Sequence, residues 1–525
     1  MFYSILFCNQ EQHDQPRQSK EPACFQDLNL GQIVSPILEA NKEFHLNAFF
    51  YTTLRDQDTI LYRQNVMLEL EDQKLRSLIT AFSKTLYPNI LYNISRDMDT
   101  ARRALLSYDS LDNNYLTRGQ LLDCAEQYCG AVSDLNQELS EYTLYSEGLR
   151  EFAEYLSQYG QSEHYTELCA QIKHLRQELS TVKYCMLIHN GTIHVRKYEG
   201  QEEFSPQILN AFDKFRQGEV RNYQHTTPEK PPAAHVEAAV LNMVAKLYPE
   251  IFADLNEFCT QYLHFNDETL SRFSREIQFY LAWLEYIQPF KDAGLPFNYP
   301  AIHDTPDHLY VKDGFDLALA NQRKAQTVTN DFELHTPEQI LVVTGPNQGG
   351  KTTYARMFGQ IHYLSALGLC VPGRKASLYL FDQIFTHFER EENLSALSGK
   401  LQDDLMRLHE ILEKATAQSI LIFNEIFSST TLSDALALGG HMMDAILSLG
   451  APAVIVTFLD ELALYGPETV SMMSTVRKEN PSERTFKIIR KPPDGLAYAL
   501  YIAGKHGLTY EQLSRRIQNE STSDV

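Results

Sequence analysis

Eight consecutive residues have the types and spacing of a phosphate-binding loop, G-x-x-x-x-G-K-[ST]. They are Gly345, Pro346, Asn347, Gln348, Gly349, Gly350, Lys351 and Thr352. The glycines would let the backbone curl so that successive N–H groups face phosphates, and Lys351 would neutralise the β and γ phosphates. The Thr352 hydroxyl would ligate Mg²⁺, and Thr353 completes the predicted nucleotide-binding set. The pattern predicts ATP and Mg²⁺ as cofactors; the alternative is a purely structural glycine-rich turn.

The elements around this loop are those that such a loop needs. An apolar run, Ile340–Thr344, precedes it and predicts a strand, and a helical pattern over Lys351–Leu367 follows and stops at Gly368. The start of that helix would add the positive end of its dipole to the phosphate site.

A second apolar run, Ser419–Phe423, ends in Asn424 and Glu425. A strand that delivers polar groups beside the loop is the Walker B arrangement, and Glu425 is the predicted catalytic residue that orients or deprotonates water. Asn424 is the predicted metal-site partner of Thr352, although its amide adds no negative charge, so metal affinity and turnover would be reduced.

The two parts of the chain have different patterns. Residues 1–300 read as mostly helical, with an apolar stripe at Leu135, Leu139, Tyr142, Leu149, Phe152 and Leu156 that predicts core packing. After Pro300, short apolar runs such as Ala453–Phe458 alternate with helical patterns, which predicts parallel βαβ units. We therefore expect an α/β P-loop (ABC-like) ATPase domain, 301–525, preceded by a mostly α-helical core/lever domain, 1–300.

One segment of the helical part predicts a β-hairpin near 184–198. The runs Tyr184–His189 and Thr192–Tyr198 are β-prone, and Asn190-Gly191 joins them. The hairpin carries basic side chains, among them Lys183, His189, His194, Arg196 and Lys197. It is either an exposed hairpin with solvated charges or a contact for nucleic acid or a partner.

The charge distribution argues against a strongly DNA-wrapping surface. The net charge is −22, of which −15 falls in the first 300 residues and −7 in the rest. A nucleic-acid surface normally shows the opposite balance. The eight cysteines form no CxxC pair, and no apolar run approaches a membrane span, so we expect a cytoplasmic protein without membrane contact.

Several segments together resemble the MutS family. Thr344–Tyr354 reads TGPNQGGKTTY and is similar to the signature TGPNMGGKSTY, and Val328–Asp331 resembles its VPND segment. Val371-Pro372 and Asp382–Thr386 resemble its VPA and DRIFTR segments. Glu392–Gly399 resembles the SLSTFS signature of the second MutS type. Residues 328–510 carry the resemblance, whereas the helical part is similar only in character and position.

The resemblance implies a homodimer through the ATPase domains, in which Ser395 of one chain would reach the partner's γ-phosphate. Two positions depart from the family pattern, because the Walker B aspartate is Asn424 and the γ-phosphate-sensing histidine is Phe458. The stretch before the core helices is expected to be too short for a mismatch-recognition domain.

Two functions remain open. The first is an ATP-driven dimer switch that associates with DNA in repair or recombination, through DNA structure rather than sequence and without mismatch recognition. The second is a nucleotide-switched protein scaffold with weak hydrolysis and no DNA substrate. The resemblance favours the first, and the acidity of the helical part favours the second.

Overall fold

A computed structural model of the 525-residue chain describes residues 2–94, 114–189, 192–200, 234–388, 399–477, 480–493 and 508–514. The chain forms two compact units. One unit comprises residues 1–2, 74–143 and 150–274, and the other comprises residues 3–73, 144–149 and 275–525. A helical N-terminal region precedes mixed α/β sheets, which confirms the predicted fold class. The division into domains at residue 300 stays a prediction.

The N-terminal region consists of helices and one hairpin. In chain order its described helices are α1 Gln10–Asp14, α2 Cys24–Leu28, α3 Gly31–Ala40, α4 Asn47–Tyr51, α5 Gln57–Glu69, α6 Gln73–Ile94, α7 Asn114–Ser140, α8 Glu147–Gly160, α9 Glu163–Thr181, α10 Ala234–Leu247, α11 Pro249–Gln261 and α12 Glu268–Asp292. Pro249 begins its helix, a position where the missing N–H costs nothing. None of the described helices has the length and apolar character that a membrane crossing requires.

The predicted apolar stripe is buried. Leu135 and Leu139 of α7 and Leu149, Phe152 and Leu156 of α8 are buried, as the helical spacing predicts. Tyr142 differs, because it lies between the two helices and is half-buried.

The predicted hairpin consists of strands β1 Tyr184–His189 and β2 Thr192–Lys197, which pair antiparallel with Tyr184 opposite Lys197. Its turn, Asn190-Gly191, lies outside the described residues. Lys183, His194, Arg196 and Lys197 are exposed.

The central sheet of the C-terminal region consists of six strands: β7 Ile340–Thr344, β10 Ile384–Phe388, β11 Ile420–Asn424, β12 Ala453–Val456, β13 Thr469–Arg477 and β14 Asn480–Arg490. Their order in the sheet is β10-β11-β12-β7-β13-β14. The strands from β10 to β13 in this order are parallel, and β14 returns antiparallel to β13. The parallel βαβ prediction is thereby confirmed, and the strands β7, β10, β11 and β12 are buried along their whole length, which explains their continuous apolar runs.

Four described helices accompany this sheet. They are α13 Leu317–Arg323, α14 Lys351–Ser365, α15 Lys400–Lys414 and α16 Leu432–Leu449. The Thr431 side chain caps α16 by accepting the Asp434 N–H, and Gly450 ends it with a φ of 81°. The helix α14 stops two residues earlier than the pattern predicted, at Ser365 rather than Leu367.

A second sheet has the order β4-β9-β5-β6, with β4 Ala301–His303, β5 His308–Gly314, β6 Asn330–His335 and β9 Lys375–Tyr379. A short pair joins β3 Phe297–Asn298 to β8 Val371–Pro372. The strand β6 leads, through a turn at residues 336–339, into β7 and the phosphate-binding loop.

Candidate functional site

The predicted phosphate-binding loop joins β7 to α14 and curls through residues with positive φ angles. Gly345 and Gly350 have φ values of 110° and 92°, and Gln348 has a φ of 59°. Glycine adopts these angles without strain, and Gly350 is the residue directly before the helix. The loop leads directly into the start of α14, where N–H groups without a partner inside the helix can bind an anion.

The strand β13 supports this loop from behind. The buried Ser474 hydroxyl donates to the Gly349 carbonyl oxygen at 2.8 Å. A Cβ on Gly349 would lie 2.2 Å from Ser474 Oγ and 2.9 Å from the Pro346 carbonyl oxygen. Position 349 thus accepts only glycine unless the loop moves away from β13.

Lys351 is buried, with 5% of its surface exposed. Its Nζ donates to the carbonyl oxygens of Gly345 and Pro346 at 2.9 and 3.3 Å and to Asn347 Oδ1 at 3.2 Å. Burial lowers the pKa of Lys351, and the nearby Glu425 carboxylate raises it in part. The ammonium is held by the loop's own oxygens, which are the groups that phosphate oxygens would replace.

The two predicted metal-site residues meet at the carboxyl end of β11. The Thr352 hydroxyl donates to Asn424 Oδ1 at 2.9 Å, although the residues are far apart in sequence. Both side chains offer oxygen atoms, which are the ligands that Mg²⁺ prefers. The pair therefore fits the implied cation by its chemistry, and its assignment as a metal site stays a prediction.

Glu425 follows Asn424 with a φ of 57°, and its N–H donates to the Val456 carbonyl oxygen at 2.8 Å. This conformation is uncommon for a non-glycine residue and turns the chain sharply at the end of the strand. The Glu425 side chain is half-buried and lines the same pocket as Lys351 and Thr352.

The pocket has a volume of about 270 Å³ and is lined by residues of the loop, Thr353 and Glu425. Its lining also includes side chains that were not among the predicted site residues: Leu319, Arg323, Gln326, Val328, Asn330 and Phe486.

Asn330 fixes the position of Phe486. Its Nδ2 donates to the Phe486 carbonyl oxygen at 3.1 Å, and its Oδ1 accepts the Ile488 N–H at 2.8 Å. The Arg323 guanidinium lies 5.7 Å from the centre of the Phe486 ring. The Phe486 ring and the Arg323 guanidinium offer an aromatic face beside a cation, which suits a heteroaromatic base.

Two predicted positions lie elsewhere. Ser395 belongs to residues 389–398, outside the described part of the chain, so its placement stays a prediction. Phe458 follows β12 and is 50% exposed. Because β12 lies between β11 and β7, Phe458 lies at the same sheet edge as the phosphate-binding loop.

Comparison with known families identifies this region. Residues 341–512 match the family model described as MutS domain V. This part of the chain is a MutS domain V. The family resemblance is thereby confirmed, and MutS domain V is an ATPase domain.

Curated relatives carry similar sequences. The chain is 24% identical to the DNA mismatch repair protein MutS of Bacillus subtilis over 374 residues, which cover 70% of this chain and 41% of the relative. It is 32% identical to Endonuclease MutS2 of Thermus thermophilus over 197 residues, or 36% of this chain and 25% of the relative. The chain is 25% identical to the DNA mismatch repair protein MutS of Chlamydia muridarum over 331 residues, which cover 61% of this chain and 39% of the relative.

These matches span less than half of each relative's own length.

Proposed function

We propose that this protein is an ATP-driven dimer switch that hydrolyses ATP in its MutS domain V. The observation that carries the proposal is the convergence of Lys351, the Thr352–Asn424 pair and Glu425 on one pocket. A cation, two oxygen ligands and a carboxylate are the groups that phosphoryl transfer to water needs.

The chain's own residues would act as follows. Loop N–H groups and the start of α14 bind the phosphates, and Lys351 exchanges its contacts with Gly345, Pro346 and Asn347 for phosphate oxygens. Glu425 orients the attacking water and accepts its proton. Phe486 and Arg323, which line the same pocket, would hold the nucleobase of ATP.

The bound cation would be held by Thr352 directly and by Asn424 through the second shell, and it supplies charge neutralisation at the phosphates. Because Asn424 carries no charge and Phe458 offers no imidazole, we propose that hydrolysis is slow compared with a site that has the aspartate and the histidine.

A dimer would complete the site. We propose that Ser395 of the partner subunit approaches the γ-phosphate, so that ATP holds two chains together head to tail. The exposed Phe458 supports this arrangement, since a half-exposed aromatic ring at the nucleotide edge of the sheet can be covered by a second chain. Phosphate contacts would then favour the closed dimer over the open one.

For the partner, we favour DNA recognised by structure, without preference for mismatches. The exposed hairpin supports this, because Lys183, Arg196 and Lys197 are solvent-exposed cations within a region whose net charge is −15. The relatives' names also connect the family to DNA repair and DNA cleavage. The second candidate is a protein scaffold without a DNA substrate, favoured by the net charge of −15 in the first 300 residues.

A salt-dependent DNA-binding titration separates the two candidates. We expect modest affinity, because only a few phosphates would be neutralised by the hairpin, and binding that weakens as salt rises. Replacing Arg196 and Lys197 by glutamine should weaken binding and reduce the salt slope, whereas replacing the exposed Lys42 and Lys74 should not. Undetectable DNA binding at low salt would favour the scaffold.

A further inference from the structure

A cluster of two histidines and a glutamate lies on the second sheet, on the paired strands β5 and β6. His308 is the direct cross-strand partner of His335, and Glu333 lies two residues before His335, on the same face of the strand. The two imidazole rings stack with their centres 4.4 Å apart. The strand pairing therefore brings three possible metal ligands together.

Two of the three distances between ligand atoms are close to those of a tetrahedral metal site. Glu333 Oε1 lies 3.4 Å from His308 Nε2 and 3.0 Å from His335 Nε2. A metal ion with ligands at about 2.05 Å requires ligand atoms roughly 3.3 Å from one another in a tetrahedron. All three ligand atoms lie within 4.8 Å of one another. The rings are inclined by 24°, and a rotation about χ2, which is soft for histidine, would direct both lone pairs at one ion.

We propose that His308, Glu333 and His335 bind a divalent transition metal of the Zn²⁺ class, with water as the fourth ligand. Two imidazoles and one carboxylate suit Zn²⁺, whereas Mg²⁺ prefers oxygen ligands alone. The three side chains are one-third to one-half exposed, so an ion can enter from solvent without a change of fold.

The groups around the cluster hold the ligands in place. Lys312 Nζ donates to Glu333 Oε2 at 2.8 Å, which leaves Oε1 directed at the histidines. The backbone N–H of His335 donates to Glu338 Oε2 at 3.1 Å, which fixes the main chain at this ligand, and Glu338 is itself paired with Arg490. The Lys312 contact to the Glu333 carboxylate is of the kind that orients metal ligands in proteins.

This site is separate from the nucleotide pocket. The strand β6 carries Asn330, which lines that pocket, at one end and His335 at the other. Five residue steps along a strand correspond to roughly 17 Å. The metal would thus join β5 to β6 at the end of the sheet away from the nucleotide, and the inference does not depend on the proposed ATPase cycle.

The test is a titration of the chelator-treated full chain with Co²⁺ and then Zn²⁺, with Mg²⁺ in excess and no nucleotide. We expect one Co²⁺ to bind with the visible absorption of tetrahedral nitrogen and oxygen ligation, and Zn²⁺ to displace it. His308→Asn and His335→Asn should each weaken binding by about 100-fold or more, since even outer-shell changes cost 10- to 100-fold.

His409→Asn is the matched control. His409 is also exposed and pairs with a glutamate, Glu413, at 3.3 Å one helical turn away, but the described residues give this pair no third ligand. The control should leave affinity unchanged. Co²⁺ or Zn²⁺ binding that is unaltered in both cluster variants, or absent from the wild-type chain, would show that the cluster is an ion-pair network only and would overturn the proposal.

Discussion

The change Asn424→Asp tests whether the metal shell lacks one negative charge. The Thr352 hydroxyl donates to Asn424 Oδ1 at 2.9 Å, and aspartate keeps that acceptor while adding charge. The Thr352 hydroxyl can ligate a cation through its oxygen while it still donates its proton in a hydrogen bond to the side chain at position 424. The substitution is nearly isosteric, so the buried end of β11 should tolerate its shape.

The expected magnitude follows from this contact. A neutral hydrogen bond contributes about 1 kcal/mol net and one to a charged group about 2 kcal/mol, so the gain is about 1 kcal/mol, at most tenfold in rate. Without nucleotide and cation, we expect the substitution to destabilise the fold instead. Residue 424 is only 7% exposed, and a carboxylate there without a cation should lower the unfolding free energy by about 1–3 kcal/mol.

The assay measures ATP hydrolysis against Mg²⁺ concentration, together with thermal unfolding with and without Mg²⁺ and ATP. We expect tighter Mg²⁺ dependence, faster hydrolysis and a larger stabilisation by Mg²⁺ and ATP in the variant. Asn9→Asp is the control, because it adds the same charge at an exposed helix cap that does not line the pocket. A flat or lower hydrolysis curve for Asn424→Asp would refute the missing-charge account.

Three further predictions concern the loop and the DNA. Lys351→Ala should abolish ATP binding in a calorimetric titration. It should also lower the unfolding free energy by about 1–3 kcal/mol, because the carbonyl oxygens of Gly345 and Pro346 lose their donor. Unchanged ATP affinity would contradict the assignment of the phosphate-binding loop. Gly349→Ala should likewise remove ATP binding through its collision with Ser474, whereas Gly119→Ala, which meets nothing within 4 Å, should bind normally. Matched and mismatched duplexes should bind equally in a competition assay, and a severalfold preference for a mismatch at physiological salt would contradict this.

The sequence predicts those parts of the site that are local in the chain. The β7 strand, the loop and α14 follow one another directly, so a motif and an apolar pattern are sufficient to predict them. The proximity of Thr352 and Asn424 was also predictable, because the carboxyl ends of the parallel strands β7, β12 and β11 lie at one edge of the sheet.

Other parts of the site depend on the pairing of distant strands. Ser474 contacts the phosphate-binding loop because β13 pairs with β7, and Phe486 lines the pocket because β14 returns beside β13. No local pattern marks either residue. The burial of Lys351 by loop oxygens likewise depends on the curled backbone. The cluster of His308 and His335 depends on strand register, and a shift of one residue would place them on opposite faces.

The central claim is that ATP holds two copies of this chain together. Sedimentation velocity of the Glu425→Gln variant tests it most directly. Glutamine preserves the size of the side chain but removes the charge that orients water, so bound ATP should persist. We expect monomers without nucleotide, a transient dimer for the wild type with Mg²⁺ and ATP, and a stable dimer for Glu425→Gln. Identical sedimentation with and without ATP in both proteins would contradict the account.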